Sequence, residues 1–201
     1  TAFGSNDDDS RIPKKKRLLV VDDSELNREI LSGILQSEYS IVQAADGKEA
    51  VQKIELLGND ISAILLDIIM PEMNGFDVLD YMNEHSLIGE IPVIAITGDE
   101  SGDTIRAAYD KGVSDYIIRP FDAKVVYKRV SNTVKVYERQ KQLASEISRE
   151  LRNREKNRSM IVEILNSIVE APGSETDGNH AEHMMRFTEL LLEKLVKKIP
   201  R

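Results

Sequence analysis

Ile61–Gly75 reads ISAILLDIIMPEMNG, an apolar run that stops at a carboxylate. Ala63, Ile64, Leu65 and Leu66 show no polar alternation, the pattern of a strand covered on both faces, as in a parallel sheet flanked by helices. Asp67 then lies at the strand's carboxyl end, where open α/β sheets place their ligand crevice; Pro71 and Gly75 are turn residues that cannot continue the strand. A single Asp there also suits an ordinary turn cap, so the other strand ends decide.

Upstream, Leu18–Val21 forms a second apolar run that ends on Asp22 and Asp23, and Ser24 is placed to cap a helix from Glu25 to about Ser37 with Leu26, Ile30, Leu31 and Ile34 on one face. Ser40–Ala45 reads as a short strand, broken by Asp46 and Gly47 before a helix that turns Ala50, Val51, Ile54 and Leu57 inward. Downstream, a helix from about Gly75 to His85 precedes a strand from Ile91 to Ile96 that ends on Thr97; Pro92 is tolerable because it stands at the start. A helix from about Ser101 to Lys111 stops at Gly112, and a fifth strand, Tyr116–Ile118, ends at Arg119 and Pro120. Strands alternating with helices through short connections specify a parallel sheet built from right-handed βαβ units, an α/β doubly wound domain over residues 17–130.

The chain has 201 residues, 31% of them charged, and a formal net charge of −8, which argues against a general nucleic-acid binder. It has no cysteine, which excludes disulfides, thiol catalysis and zinc knuckles. The sequence shows no signal peptide and no apolar run approaching a membrane span, so the expectation is a cytoplasmic protein without membrane contact. Residues 1–16, with Asp7–Asp9 followed by Lys14, Lys15 and Lys16, read as a solvated, flexible arm.

In a parallel sheet the ends carrying Asp22, Asp23, Asp67, Thr97 and Arg119 meet at one edge. Three carboxylates packed together raise one another's pKa unless a cation intervenes. Magnesium suits such a set, since it takes one or two carboxylates and leaves positions for water and phosphate oxygens. A carboxylate can also accept a phosphoryl group, and a neighbouring hydroxyl and cation would bind its oxygens.

The segments LLVVDDSELNREIL, AILLDIIMPEMNGFDVL, IPVIAITG and VSDYIIRPF resemble, in order and spacing, the receiver domain of two-component response regulators. The resemblance implies a flavodoxin-like five-stranded sheet of order 2-1-3-4-5, with Asp67 as phosphoacceptor for a cognate histidine kinase. It implies magnesium held by Asp22, Asp23 and Asp67 with the backbone carbonyl of Ile69, Asp23 directly. Thr97 would be the hydroxyl that moves toward the phosphoryl group, and Tyr116 the aromatic that swings inward behind it. Receivers carry a lysine where this chain has Arg119. Arginine keeps the charge but is planar and less suited to act as a point charge on a single phosphoryl oxygen. The expectation is that phosphorylation persists; what the departure affects is coupling to the switch. The resemblance also implies a cis Arg119-Pro120 bond.

From Ala123 the helical pattern continues without Pro or Gly as far as Pro172. Val130, Thr133, Tyr137, Gln140, Ala144, Ile147, Leu151, Arg154, Arg158, Ile161, Leu165 and Ile168 step by three and four, a heptad seam that specifies a coiled-coil-like linker over 131–171 and a parallel homodimer. Arg154 and Arg158 interrupt it, so a solvated spacer is the other reading. After a loop at Pro172, Gly173 and Gly178, residues 161–197 resemble the opening helices of HD-type metal-dependent phosphohydrolases, including the HD-GYP group that cleaves cyclic dinucleotides. That resemblance makes 172–201 a partial output domain, a short helical segment in which His180 matches the first metal-ligand histidine without the later ligands. Two other functions stay open: a metal-dependent phosphohydrolase in a longer parent protein, and a phosphate-independent docking module, for which Arg119 is the sequence hint.

Overall fold

The structure is a computed structural model that describes residues 15–98 and 102–169 together with 185, 188 and 189; over 164–169 it describes the helical backbone alone. The chain divides into two units, Thr1–Ala144 and Ser145–Arg201. The basic arm before residue 15 and His180 lie outside the described residues.

The first unit holds the strands β1 (Lys16–Val21), β2 (Tyr39–Ala44), β3 (Ile61–Asp67), β4 (Val93–Thr97) and β5 (Asp115–Ile118). All neighbours pair in parallel, in the order β2-β1-β3-β4-β5, as the resemblance implies. The intervening helices are α1 (Glu25–Leu35), α2 (Gly47–Leu57), α3 (Gly75–Glu84) and α4 (Gly102–Asp110), and the chain then enters α5 (Ala123–Val169). Side chains alternate across the sheet, which explains the unbroken apolar runs. Leu18 and Val20 of β1 face a layer with Leu31 and Leu35 of α1 and Val126, Val130 and Val134 of α5. Leu19 and Val21 face the opposite layer, with Ala50 and Ile54 of α2, Val78, Leu79 and Met82 of α3 and Ala108 of α4. Each fully buried Leu, Ile, Val or Met side chain among them contributes about 1.5–3 kcal/mol.

Two details differ from the sequence reading. On α1, Leu26 is 66% and Ile30 41% exposed, while Leu31 and Leu35 are buried. Leu26 and Ile30 share one face and Leu31 and Leu35 the next, and packing into the layer formed by the sheet and α5 selects between them. On α5, Val130 and Thr133 are buried in the domain, so the first members of the heptad stripe pack against the sheet side of their own unit, and that packing runs on to Val134.

Local chemistry fixes the helix starts that matter for the strand ends. Ser24 caps α1 by accepting from Asn27 N, and Asp46 caps α2 by accepting from Glu49 N. Asn74 and Asp77 form a reciprocal capping box on α3. Gly75 allows α3 to start hard against β3: its N–H donates to Ile68 O at 3.0 Å, and a Cβ there would stand 2.7 Å from Ile68 Cα and closer still to Asp67 O.

Candidate functional site

Asp22 directly follows β1, Asp67 ends β3, Thr97 ends β4 and Arg119 directly follows β5, so the parallel topology delivers all four to one edge. Carboxylate oxygens of Asp22, Asp23 and Asp67 lie within 4.8 Å of one another. Asp22 is fully buried, Asp67 is 1% exposed and Thr97 2%, whereas Asp23 is exposed.

Each buried carboxylate has a defined set of donors. Asp22 Oδ1 accepts from Ser24 N and from Asn27 Nδ2, both at 3.0 Å, and Oδ2 accepts from Asn27 Nδ2 at 3.2 Å. Arg28 Nη1 donates to the backbone oxygens of Asp22, at 2.7 Å, and Asp23, at 3.3 Å, pinning the acidic pair from α1. Asp67 Oδ1 accepts from Ile69 N at 3.1 Å. Arg119 closes the set: a single nitrogen, Nη2, donates to Asp67 Oδ2 at 2.5 Å and to Asp22 Oδ2 at 2.7 Å. Thus the planar side chain at the end of β5 does reach the pocket, and it engages the carboxylate pair that two adjacent negative charges would otherwise leave uncompensated. Its Nε is buried with no hydrogen-bond partner, a condition that costs about 1–3 kcal/mol. The Arg119-Pro120 bond is cis, as the resemblance implies.

Tyr116 sits between two helices. Its ring meets Tyr109 of α4 edge to face, centroids 6.0 Å apart, and Arg129 of α5 lies over it at 5.3 Å. Arg129 Nη1 also pairs with Asp115 Oδ1 at 2.5 Å, and Ser114 Oγ hydrogen-bonds Tyr137 Oη at 3.0 Å, so polar contacts tie the start of β5 and the residue before it to α5 in the first unit. Asn27, Arg28 and Arg129 escaped the sequence reading. The signal for the first two was their position one turn past the acidic pair; Arg129 gave none, because the ring it covers is distant in sequence.

Burial pushes the Asp67 carboxyl above the usual carboxylate range, aided by the nearby Asp22 charge and opposed by the hydrogen bonds from Arg119 and Ile69. A carboxyl raised in the folded state binds its proton more tightly there than when unfolded. Its contribution therefore favours folding most at low pH and falls as pH rises through the folded-state pKa. The difference in urea midpoint between wild type and Asp67→Asn is expected to widen in favour of the variant as pH rises from the ordinary carboxylate range to neutrality. A difference independent of pH would contradict it.

Among the described residues no helix is long and apolar enough to cross a membrane. The profile described as the response regulator receiver domain matches residues 18–131. The two-component response regulator ORR5 of Oryza sativa is 35% identical over 121 residues, covering 59% of this chain and 88% of the relative. A Vibrio cholerae protein named "Probable cyclic di-GMP phosphodiesterase" is 28% identical over 186 residues, covering 89% of this chain, which spans 41% of that relative's length. Among solved structures, the Vibrio cholerae chemotaxis protein CheY4 superposes with a TM-score of 0.55 at 27% identity, covering 59% of this chain and 98% of that one.

Proposed function

This chain belongs to the response regulator receiver family, and from that premise we propose that it accepts a phosphoryl group on Asp67 from the phosphohistidine of a cytoplasmic partner kinase. What carries the proposal is the arrangement around Asp67: a buried carboxylate at a strand end, with Asp22 and Asp23 within 4.8 Å and a guanidinium bridging two of the three acids. In the transfer, a carboxylate oxygen of Asp67 attacks phosphorus, the new O–P bond forms as the donor's N–P bond breaks, and the electron pair leaves with the kinase imidazole.

The donor set suits a hard divalent cation. Asp23, exposed at the mouth of the pocket, and Asp67, through the lone pairs left beside the hydrogen bonds from Ile69 N and Arg119 Nη2, would hold magnesium directly with the carbonyl of Ile69, and Asp22 would complete the acidic set. Asp22 would also hold Arg119 in place. Magnesium, when bound, neutralises charge and orients phosphoryl oxygens. Thr97, at the end of β4, and Tyr116, held between Tyr109 and Arg129, are the residues we assign to sensing the phosphoryl group. Intact-mass spectrometry after incubation with acetyl phosphate should show one added phosphoryl group with magnesium and none with excess chelator. Equal labelling in both would refute the metal assignment.

We assign residues 17–130 to the receiver and 131–171 to a linker that pairs with a second copy in parallel. In support, Leu143 is 54%, Ile147 61% and Leu151 60% exposed on α5, an apolar stripe with no cover among the described residues of this chain. Sedimentation should give twice the monomer mass at tens of micromolar, and Ile147→Glu with Leu151→Glu should reduce association about 100-fold or more. An unchanged sedimentation coefficient in the double variant would remove the stripe from the interface. A second reading concerns a longer parent protein. The Vibrio cholerae similarity extends beyond the receiver, and this favours 172–201 as the start of an HD-type output that cleaves cyclic dinucleotides, with His180 as a metal ligand.

A further inference from the structure

We propose that Arg119 holds the acyl phosphate of Asp67 with two parallel N–H groups, Nε and Nη2, a two-pronged grip that a lysine in the same place cannot make. This rests on the reading of Asp67 as phosphoacceptor.

The starting observation is an orphan. Among the described residues, Arg119 Nε is the buried side-chain polar atom for which no hydrogen-bond partner exists. Buried donors are nearly always satisfied, so an exception at a functional edge points to an acceptor that arrives with a ligand. The covalent geometry of arginine says where that acceptor must stand. The guanidinium is planar, and Nε–H lies alongside one N–H of Nη2 on the same edge of the fork. Nη2 already donates to Asp67 Oδ2 and Asp22 Oδ2, so the empty prong runs beside a filled one at the pocket.

The carboxylates themselves leave that prong without an acceptor. Asp67 Oδ1 is turned to Ile69 N, and Asp22 Oδ1 is turned to Ser24 N and Asn27 Nδ2. Phosphorylation changes the supply: Asp67 loses its carboxylate charge to a mixed-anhydride bond and gains three terminal phosphoryl oxygens that share the negative charge. Nη2 then loses much of its attraction to the Asp67 oxygen, and the fork as a whole finds two oxygens spaced for bidentate binding. The backbone of Arg119 is fixed for this, since its N–H donates to Thr97 O at 3.0 Å and ties the residue to the end of β4. Lysine would supply the same charge through a single nitrogen, without the parallel pair.

The test uses the full chain with magnesium and beryllofluoride, a tetrahedral mimic of the phosphoryl group. In arginine Nε–H spectra, the resonance that vanishes in Arg119→Lys is assigned to Arg119. On adding beryllofluoride to the wild type, it should move downfield and become protected from exchange with water. Arg119→Lys should bind beryllofluoride about tenfold more weakly, the loss of one charge-assisted hydrogen bond at constant charge. An Nε–H resonance unmoved by saturating beryllofluoride overturns the grip, as does equal or tighter binding by Arg119→Lys. If wild type and Asp67→Asn bind the mimic alike, the phosphoacceptor reading itself fails and the grip fails with it. Binding that needs Asp67 but is indifferent to Arg119→Lys removes the grip alone.

Discussion

Asp67→Asn should reduce labelling by acetyl phosphate by about 100-fold or more, because an amide offers no anionic oxygen to attack phosphorus. The same substitution should raise the urea midpoint at neutral pH. Both effects come from one cause. Asp67 is 1% exposed, and burial holds its carboxyl above the usual range in spite of the contact with Arg119. The ionised form that makes a nucleophile is therefore the form the fold accommodates least well. An asparagine side chain has nearly the same shape and no charge to desolvate, so the variant should be the more stable protein and the inactive one. A loss of labelling accompanied by unfolding would instead mean that Asp67 supports the structure. Retained labelling would mean that another residue is the acceptor.

Glycine-to-alanine changes at two positions should have opposite signs. Gly75→Ala puts a methyl group 2.7 Å from Ile68 Cα and into the backbone oxygen of Asp67, and neither is the movable end of a side chain. The start of α3 must back away from the end of β3, at a cost of about 1–3 kcal/mol by the measure of overpacked sites. Asp67 would move with it, and magnesium-dependent labelling should fall along with the urea midpoint. Gly33, inside α1, has open space on its outer side, with nothing within 4 Å of where a methyl group would stand. Gly33→Ala should stabilise by about 0.5–1 kcal/mol through helix propensity and leave labelling unchanged. If Gly75→Ala were as benign as Gly33→Ala, the tight junction between α3 and the Asp67 strand would not constrain the site.

The sheet and its acidic edge were legible because the two signals coincide: Leu18–Val21 and Ala63–Leu66 are apolar on both faces, and each run stops on Asp. Strand boundaries moved by a residue or two, as with Pro92, which lies before β4 (Val93–Thr97) and whose oxygen still accepts from Ile64 N. What failed to read through is whatever depends on a partner distant in sequence. Leu26 and Leu31 are both leucines on an amphipathic helix, and periodicity does not say which one the sheet and α5 will cover. The heptad stripe likewise began too early, since Val130 and Thr133 satisfy a coiled-coil register and a sheet-packing register alike. Arg119 could be placed at a strand end, but not the reach of its side chain: that Nη2 bridges Asp22 and Asp67 follows from rotamers and from the anchoring of Asp22 by Asn27 and Ser24.

The most direct test of Asp67 as phosphoacceptor is chemical mapping of the labelled residue. The chain is treated with acetyl phosphate and magnesium, the acyl phosphate is reduced with borohydride, and the peptides are sequenced by mass spectrometry. The expected result is reduction of Asp67 alone, to homoserine, within the peptide that carries ILLDIIMPEMNG, and only in samples that received both phosphate donor and magnesium. Reduction at Asp22 or Asp23, or at Asp67 to the same extent without the phosphate donor, would contradict it.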